Sequence, residues 1–352
     1  MACVAEATNQ RRIADLRLFP YAIPLSRPWK CARGDTVLRR GWLIRVEDSE
    51  GAHGWGESAG LPGAGTETPE QAERALAEAM AAMKRLAPAD ARAQLPGPSR
   101  PAARCGLECA LLDLEARRTG VPLYRHLRPD AAPEVRVNAF AGAVDEALGQ
   151  RLVAARRQGF EVAKLKLATA PRDVELPMFF RAMEQLPAGL SLRLDVNRGW
   201  SVAEAEATLP QLAGLPIEAM EEPARDADAQ ALERLQAMAG FSLALDESLS
   251  SWPEDRALPV RRQVLKPMVV GGPTRVLGLA LRPRTESVVT SSVDTAVGLW
   301  LSAHIAAALG NGLAHGLDTA GWLSTLLGPA PEPGGLLRLP DAPGLGFEPE
   351  LP

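Results

Sequence analysis

Two lysines two residues apart are the first feature of this sequence that could do chemistry. Lys164 and Lys166 stand in the otherwise apolar stretch 162–167, which has the composition of a short strand. Alternate residues of a strand point to the same face, so we expect both ammonium groups on one side. Two close positive charges, together with partial burial, lower the pKa of a lysine. The pair therefore predicts a base that works near neutral pH.

Lysine is scarce elsewhere in the chain. Only five of the 39 Lys and Arg residues are lysines, and three of them, Lys164, Lys166 and Lys266, lie in or beside strand-like segments. Arginine keeps its proton in proteins, whereas lysine can lose it, so lysine at these positions favours proton transfer. The alternative interpretation is a solvated strand edge with extended lysine stems.

Three acids end successive apolar runs: Asp195, Glu221 and Asp246, followed by Lys266 at the end of the next run. Each of these positions follows the previous one by about the length of one strand–helix unit. Converging carboxylates repel one another without a cation, and oxygen ligands suit Mg²⁺, for which Mn²⁺ could substitute. A single such acid could equally cap a helix. For Glu222 and Glu247 we favour helix capping, or a role in which they support the metal-binding acids without touching the metal.

The elements that must position these residues begin near Val135, where short apolar runs alternate with amphipathic segments. The expected strands are 135–140, 162–167, 191–195, 217–221, 242–246, 263–266 and 287–291, with a last turn near 313–318. The expected helices are 145–158, 171–186, 202–212, 226–239, 273–281 and 297–309, with a weaker one at 250–259. Seven or eight such units predict a parallel barrel, whose chemistry lies at the carboxyl ends of its strands. An open, doubly wound sheet is the alternative, but no Gly-rich phosphate motif follows the first strand.

The N-terminal part of the chain has a different pattern, with strands at 13–19, 37–46 and 52–58 and helices at 69–86, capped by Thr68, and 101–118. The Gly/Pro-rich loop 61–66 is placed to act as a lid. The fold class we predict is α/β: a (β/α)7-8, TIM-like barrel over 131–320 with an N-terminal α+β capping domain over 1–130. The C-terminal segment 321–352 is expected to return to the cap and complete it.

The composition of the chain indicates which classes of binding partner and which cellular compartment to expect. The net charge of −4 argues against a nucleic-acid surface, and no apolar run is long enough to span a membrane. Residues 1–12 lack the apolar core of a signal peptide, so we expect a cytoplasmic protein. Its four cysteines, Cys3, Cys31, Cys105 and Cys109, form no C-x-x-C motif and indicate core residues or free thiols in a reducing compartment. A homo-oligomer is compatible with the sequence.

Strands two and six of an eight-strand ring lie opposite each other, so Lys164 and Lys166 would face Lys266 across the barrel. A metal-bound carboxylate between opposed lysines suits abstraction of the proton α to a carboxylate, with the metal stabilising the enediolate. The expected partner is a small-molecule carboxylate.

These residues resemble the enolase superfamily, in its muconate-lactonizing subgroup. The matching pieces are Lys164-x-Lys166, Asp195-x-Asn197, Glu221-Glu222-Pro223, Leu245-Asp246-Glu247-Ser248 and Leu265-Lys266-Pro267. Within the subgroup, further stretches are similar to the proteobacterial o-succinylbenzoate synthases. They are Gly54-Trp55-Gly56-Glu57, Leu61-Pro62-Gly63, Glu67-Thr68, Leu192-Arg193-Leu194-Asp195, Thr290-Ser291-Ser292 before Gly298-Leu299, and Gly316-Leu317-Asp318-Thr319.

The resemblance implies a hydro-lyase of menaquinone biosynthesis that removes water in a syn sense from 2-succinyl-6-hydroxy-2,4-cyclohexadiene-1-carboxylate. It implies that Asp195, Glu221 and Asp246 bind Mg²⁺. Lys166 would take the α-proton, Lys164 would hold its pKa down and touch the carboxylate, and Lys266 would act from the opposite face. The resemblance also implies a pocket shaped by Arg193, Asn197, Ser291, Leu61, Pro62 and Gly63.

Three alternatives stay open at this point. The same site could serve an N-acylamino acid racemase, a dipeptide epimerase or a muconate cycloisomerase. Lys266 could form a Schiff base, as in barrel aldolases, or the barrel could be a binding module without catalysis. Asp294 departs from the family pattern and places a charge near the expected position of a substrate tail, which leaves the exact substrate open.

Overall fold

The computed structural model describes residues 11–31 and 34–352. Cys3, the side chain of Cys31 and most of the segment tested for a signal peptide lie outside what it describes. The chain forms an N-terminal cap followed by a ring of parallel strands, as the sequence predicts.

The cap is built on three antiparallel strands in the order β1 (Ile13–Cys31), β2 (Gly34–Asp48) and β3 (His53–Ser58). Strand β1 runs beyond the predicted 13–19 through Pro20 and Pro24, and β2 is longer than the predicted 37–46 at both ends. Proline is tolerated in an edge strand, which has one side without ladder hydrogen bonds, and β1 is at the edge of this sheet.

In the part of the cap that the structure describes, four helices follow the strands: α1 (Pro69–Met83), α2 (Pro88–Ala91), α3 (Pro101–Thr119) and α4 (Leu123–Leu127). Thr68 and Gln71 form a reciprocal capping box at the start of α1. Helix α3 ends at Gly120, whose φ of 70° is the left-handed conformation that favours glycine. Cys105 and Cys109 are buried free thiols on α3.

Strand β3 lies directly against the backbone of α3. A β-carbon at Gly54 would stand 2.2 Å from the backbone nitrogen of Leu114, and one at Gly56 would stand 1.9 Å from the carbonyl oxygen of Gly106. The two glycines of the Gly54-Trp55-Gly56-Glu57 stretch therefore allow the strand and the helix to approach this closely.

The barrel contains seven parallel strands that are neighbours in chain order. They are β5 (Ala139–Ala143), β6 (Val162–Lys166), β7 (Ser191–Asp195), β8 (Ile217–Glu221), β9 (Ser242–Leu245), β10 (Arg262–Leu265) and β11 (Glu286–Val289). The helices between and after them are α5 (Leu148–Arg157), α6 (Arg172–Met183), α7 (Val202–Thr208), α8 (Ala229–Met238), α9 (Pro267–Val270), α10 (Pro273–Leu279) and α11 (Ala296–Leu309). Their apolar side chains form a core that continues into the cap.

Residues 315 and 316 join the two edge strands of this sheet. His315 forms a parallel bridge with Val137, just before β5, and Gly316 forms one with Thr290, just after β11. The backbone nitrogen of Gly316 donates to the carbonyl of Val289, and that of Asn138 donates to the carbonyl of His315. This short segment is thus an eighth stave, which brings the first and last strands together around the ring.

Three expectations differ in detail from the structure. The predicted strand 135–140 is divided: β4 (Glu134–Arg136) pairs antiparallel with β12 (Leu336–Arg338), and β5 starts the barrel. Helix α7 stops at Thr208 and continues as a 3-10 turn because Pro210 cannot donate the next helical hydrogen bond. The predicted helix 250–259 is absent; a 3-10 turn over Glu247–Ser251 stands there, and Pro253 follows it.

The C-terminal residues lie against the cap. The backbone nitrogen of Leu345 donates to Asp113 of α3 (2.6 Å), and the indole of Trp55 donates to Glu348 (2.6 Å). The backbone nitrogen of Leu123 donates to the carbonyl of Gly344 (2.7 Å). Among the described residues, no helix is both long enough and apolar enough to cross a membrane.

Candidate active site

A cavity of about 80 Å³ lies at the carboxyl ends of the barrel strands, where the sequence predicts chemistry. Its lining brings together Lys164 and Lys166 from β6 and Lys266 after β10. In the closed ring of eight staves, β6 and β10 are four positions apart and therefore face each other. The full lining adds Asn138, Phe140, Asp195, Asn197, Asp246, Glu247, Thr290, Ser291, Gly316, Asp318, Thr319 and Trp322.

Lys164 is held by two of the three predicted acids. Its Nζ lies 2.9 Å from Oδ2 of Asp195 and also donates to Oε2 of Glu221. Asp195 and Glu221 are direct neighbours across β7 and β8, since their Cα atoms are paired in the ladder. The ammonium ion of Lys164 therefore stands between two buried carboxylates.

Lys266 pairs with the third acid. Its Nζ donates to Oδ2 of Asp246 at 2.6 Å, and Glu247 lies 4.0 Å away. Burial alone would favour neutral Lys266, but the charges of Asp246 and Glu247 outweigh it and raise the pKa of the lysine well above its usual value. A nucleophilic Schiff-base lysine needs a lowered pKa, so this environment argues against the aldolase alternative.

The expected lowering of the pKa of Lys164 by its neighbour Lys166 is wrong for this arrangement. Burial opposes the charged form of Lys164, but Asp195, Glu221 and Asp246 outweigh it and raise the pKa of this lysine strongly. The acids are predicted at the same rim, but the expectation does not weigh their attraction for the ammonium group of Lys164 against the like charge of Lys166.

The pKa values of the three acids shift in different directions. Burial favours neutral Asp195, yet Lys164, Lys166 and Lys266 outweigh it and lower its pKa. For Glu221, burial dominates and raises the pKa. For Asp246, burial together with the adjacent Glu247 raises the pKa to about 6. Burial is thus the main reason why Glu221 and Asp246 hold their protons more tightly than an exposed acid does.

The donor set suits a hard divalent cation, because it consists of carboxylate oxygens on three adjoining strands. Within the part of the chain that the structure describes, no three His, Cys, Asp or Glu side chains form a ready-made metal cluster. Asp195 and Glu221 contact the ammonium group of Lys164, whereas Asp246 contacts that of Lys266. The ammonium group of Lys164 already stands between Asp195 and Glu221, which shows that this position accepts a positive charge. The residues present therefore fit Mg²⁺.

Two polar residues of the predicted site support these acids. The side chain of Asn197 donates to Oδ1 of Asp195 at 2.5 Å. Glu222, which is buried, accepts hydrogen bonds from the backbone nitrogens of Asp246 and Ser248, both at 2.8 Å. Asn197 and Glu222 have φ values of 49° and 47°, in the left-handed region that non-glycine residues rarely adopt. Strained backbone of this kind is common at functional sites.

Ser291 also lines the cavity, as predicted, and its hydroxyl lies 2.6 Å from that of Thr319. Thr319 and Asp318 belong to a stretch that carried the family resemblance, but the sequence assigned them no role. Asp318 accepts a hydrogen bond from the backbone nitrogen of Phe140 (3.1 Å), and the Phe140 ring contacts Trp322 with 5.7 Å between centroids. Nothing in the sequence singles out Phe140 or Trp322 as residues of the site.

Arg193 does not line the cavity. It is 2% exposed and lies inside the barrel, where it donates to Glu218, to Asn138 (2.9 Å) and to the carbonyl of Ala314 (2.8 Å). Arg193 is on the same inward face as Asp195 but two residues, or about 6.6 Å, deeper along the strand. The expectation that it shapes the pocket is therefore corrected to a role in the barrel interior.

The loop residues Leu61, Pro62 and Gly63 are also absent from the lining of this cavity. Their neighbours Ala64 and Gly65 instead line a second cavity of about 260 Å³, which shares Asp246, Glu247 and Lys266 with the first. The loop thus borders the neighbouring cavity at Lys266 and does not line the cavity that holds Lys164 and Lys166. Asp294 is likewise turned away from it, since it is buried and paired with Arg39 of the cap (3.3 Å).

Comparison with known proteins agrees with the fold. The family described as "Enolase C-terminal domain-like" matches residues 147–351, and the family described as "MenC, N-terminal domain" matches residues 13–114. Because the first match covers more than half of the chain, the chain belongs to the enolase superfamily. It has that superfamily's fold, with seven parallel strands curled behind an antiparallel cap.

Two curated relatives align along almost the whole chain. The o-succinylbenzoate synthase of Klebsiella pneumoniae (strain 342) is 31% identical over 332 residues, which are 90% of this chain and 94% of that protein. The L-Ala-D/L-Glu epimerase of Bacillus subtilis (strain 168) is 25% identical over 348 residues, 93% of this chain and 94% of that protein. Members of the superfamily are enzymes, and these two catalyse reactions of different classes.

Among solved structures, the chain is similar to the dipeptide epimerase from Enterococcus faecalis V583 complexed with Mg and the dipeptide L-Leu-L-Tyr. The TM-score is 0.83, with 22% identity and coverage of 95% of this chain and 99% of that one. At this identity the similarity shows the fold.

Proposed function

We propose that this chain is an o-succinylbenzoate synthase, which dehydrates 2-succinyl-6-hydroxy-2,4-cyclohexadiene-1-carboxylate to 2-succinylbenzoate. The observation that carries the proposal is the cavity at which Lys166 and Lys266 stand on opposite strands beside the acids of the rim. The choice of reaction is supported by the match of residues 13–114 to the family described as "MenC, N-terminal domain" and by the curated synthase that is 31% identical.

Lys166 is the base in this proposal. It removes the proton from the ring carbon that bears the carboxylate, and the electron pair left behind moves toward the carboxylate oxygens. The ammonium form of Lys166 then gives a proton to the departing hydroxyl group on the same face, which leaves as water. One proton and one hydroxide are lost in total, and the ring becomes aromatic.

Lys266 acts from the other face. Its pairing with Asp246 keeps it charged, so it stabilises the negative charge that develops on the carboxylate when the proton leaves. Lys164 and Asn197 hold Asp195 in place, and Ser291 and Thr319 provide hydroxyl groups at the wall of the cavity.

Asp195, Glu221 and Asp246 would hold Mg²⁺, or Mn²⁺ in its place. The ion, when bound, would supply positive charge next to the substrate carboxylate. These acids lie on adjoining strands and are the donors that such an ion prefers.

The test is an assay of the purified protein with Mg²⁺ and the cyclohexadiene acid, monitored by the absorbance of the aromatic product. We expect turnover that stops when EDTA is added and returns with excess Mg²⁺. Absence of dehydration in the presence of Mg²⁺, with the protein folded, would contradict the proposal.

The second candidate is a dipeptide epimerase, which the lysines on both faces favour. An epimerase must remove a proton from one face and return one to the other, and Lys166 and Lys266 are placed for this. The relative from Bacillus subtilis is an epimerase and aligns over nearly the whole chain.

Proton exchange in D₂O separates the two candidates. An epimerase incorporates deuterium at the α-carbon of L-Ala-L-Glu or of a hydrophobic dipeptide, and it yields both epimers. Epimerisation without dehydration of the cyclohexadiene acid would replace our first choice with the second.

A further inference from the structure

A buried polar cluster joins the cap to the loop that follows the seventh barrel strand. We call it the cap–barrel clamp. It consists of Tyr21, Arg39 and Glu57 from the three cap strands and Asp294 and Thr295 from the barrel loop, and all five side chains are buried. None of these five residues lines the cavity that holds the lysines.

Arg39 is the cation of the clamp, and it binds two segments at once. On the cap side, its guanidinium donates to the carbonyls of Ala59 and Gly60, both at 2.8 Å, where the loop toward residues 61–66 begins. On the barrel side, it donates to the carbonyl of Val293 (2.9 Å) and to Asp294 (3.3 Å). The planar guanidinium can serve four acceptors in fixed directions, which a lysine cannot.

Both segments lead to a cavity wall. The loop after Gly60 continues to Ala64 and Gly65, which line the cavity of about 260 Å³ beside Lys266. Asp294 accepts a hydrogen bond from the backbone nitrogen of Ser292 (2.9 Å), directly after Ser291 in the wall of the lysine cavity. A shift of Arg39 would therefore move the walls of both cavities.

Glu57 attaches the barrel loop at a second point. It accepts hydrogen bonds from Thr295, from the backbone nitrogen of Gly298 (2.8 Å) and from the hydroxyl of Tyr21. A β-carbon at Gly298 would lie 2.8 Å from Glu57, so a glycine is needed for this approach. Glu57 fixes the start of α11, whereas Arg39 fixes the residues between α11 and the site.

We propose that Arg39 is a positioning residue that couples the cap loop at residues 59–66 to the barrel loop at residues 291–295, so that the two cavity walls keep one relative placement. The proposal rests on the proposed function in that the positioned walls are those of its substrate site. Asp294, which the sequence places near a substrate tail, is the partner of Arg39 in this role.

The experiment compares hydrogen–deuterium exchange of the full-length protein and three variants. Arg39→Met removes the guanidinium and its charge, Arg39→Lys keeps the charge without the planar fork, and Asp294→Asn removes the acid while leaving Arg39 bonded to Ala59 and Gly60. Arg40→Met, at an exposed arginine on the same strand, is the matched control. Circular dichroism and exchange in β7 and β8 report whether each variant is folded.

We expect Arg39→Met and Arg39→Lys to speed exchange in both loops by about tenfold or more, while β7 and β8 stay protected. We expect Asp294→Asn to speed exchange in residues 291–295 alone. Faster exchange in one loop only for both Arg39 variants would overturn the coupling, and so would no change in either loop. If Arg39→Met does not fold, Arg39→Lys decides the question.

Activity gives a second readout. Arg39→Lys should raise KM for the substrate by about tenfold and change kcat by less than about threefold, because the lysines and acids are untouched. An equal loss in kcat with KM unchanged would overturn the positioning role. If the parent protein turns over neither the cyclohexadiene acid nor a dipeptide, the proposed function fails, and the exchange pattern still decides the coupling.

Discussion

The position of Lys164 shows how the environment of one residue can reverse an expectation drawn from its neighbours in sequence. Lys166 alone would lower the pKa of Lys164, but the salt bridges of Lys164 with Asp195 and Glu221 raise it. Lys164 is consequently charged, suited to holding acids and an anionic substrate rather than to taking a proton. The role of base in our proposal therefore falls on Lys166.

Replacing Lys166 with Ala should lower kcat by about 10²–10⁴-fold, which is the usual contribution of a general base. The exposed Lys84, at the end of α1, provides the control: Lys84→Ala should leave kcat unchanged. Steady-state kinetics with the cyclohexadiene acid measure both. A Lys166→Ala variant that is folded and retains most of its activity would contradict the assignment of the base.

At the level of secondary structure, the barrel strands are predicted closely. Strands β7 and β8 begin and end at the predicted residues, because each carries an acid at its carboxyl end, Asp195 or Glu221, that marks where the mostly buried strand reaches the rim. The depth of Arg193 could not be predicted in this way. Alternation indicates which face a side chain occupies, and the layer it reaches depends on partners such as Glu218 from the next strand.

The lining residues Phe140 and Trp322 also escaped prediction, for a related reason. They come from opposite ends of the barrel sequence, and their ring contact arises only when the eighth stave closes the barrel. Sequence periodicity describes one strand or helix at a time. It therefore predicts the positions of the acids and lysines at the strand ends, but not the contacts made across the ring.

His315 in the eighth stave should make stability depend on pH. Burial, with Arg193 and Arg262 nearby, lowers its pKa from 6.5 to about 3, and Nδ1 accepts a hydrogen bond from the backbone nitrogen of Val289 (2.9 Å). Below pH 6.5 the unfolded chain binds a proton that the folded state does not, so stability falls as the pH decreases toward 3.

At pH 5 the titration of His315 lowers the free energy of unfolding by about 2 kcal/mol. The variant His315→Asn keeps an acceptor for Val289 but does not titrate, so between pH 7.5 and 5 it should lose about 2 kcal/mol less unfolding free energy than the parent. Urea unfolding at the two pH values measures this difference, with His126→Asn as the control. Equal losses in parent and His315→Asn would contradict the assignment.

The contact between β3 and α3 predicts that Gly56→Ala will be destabilising. Its β-carbon would stand 1.9 Å from the carbonyl oxygen of Gly106, so the strand and the helix would have to separate. We expect a loss of about 1–3 kcal/mol or more. Gly97→Ala, at a glycine with open space around it, is the control, and thermal unfolding compares the two.

At the scale of the whole molecule, cap and barrel depend on each other. The core is continuous from the cap helices to the barrel strands, the cap–barrel clamp connects them beside the site, and the C-terminal residues return to Asp113 and Trp55. We therefore expect a ligand bound at the rim to stabilise the molecule as a unit.

Mg²⁺ provides the test. At about 100 times its Kd, an ion that binds only the folded state adds about 2.7 kcal/mol, which corresponds to an increase in Tm of about 4 °C. The variant Glu221→Gln should lose this increase, whereas Glu161→Gln, at an exposed acid at the opposite end of the barrel strands, should keep it. Differential scanning calorimetry with NaCl at matched ionic strength measures the effect. An increase of the same size in Glu221→Gln would place the ion elsewhere.

The eighth stave also has a consequence for folding during synthesis. The ring cannot close until residues 315 and 316 have emerged from the ribosomal exit tunnel, and the cap is completed later still, by residues 344–348. Until then, the nascent chain exposes the open edges of β5 and β11, which are templates for pairing with other chains. We therefore expect the yield of soluble protein to rise when these edges are protected during synthesis. A chaperone or slow translation of the C-terminal segment could give this protection.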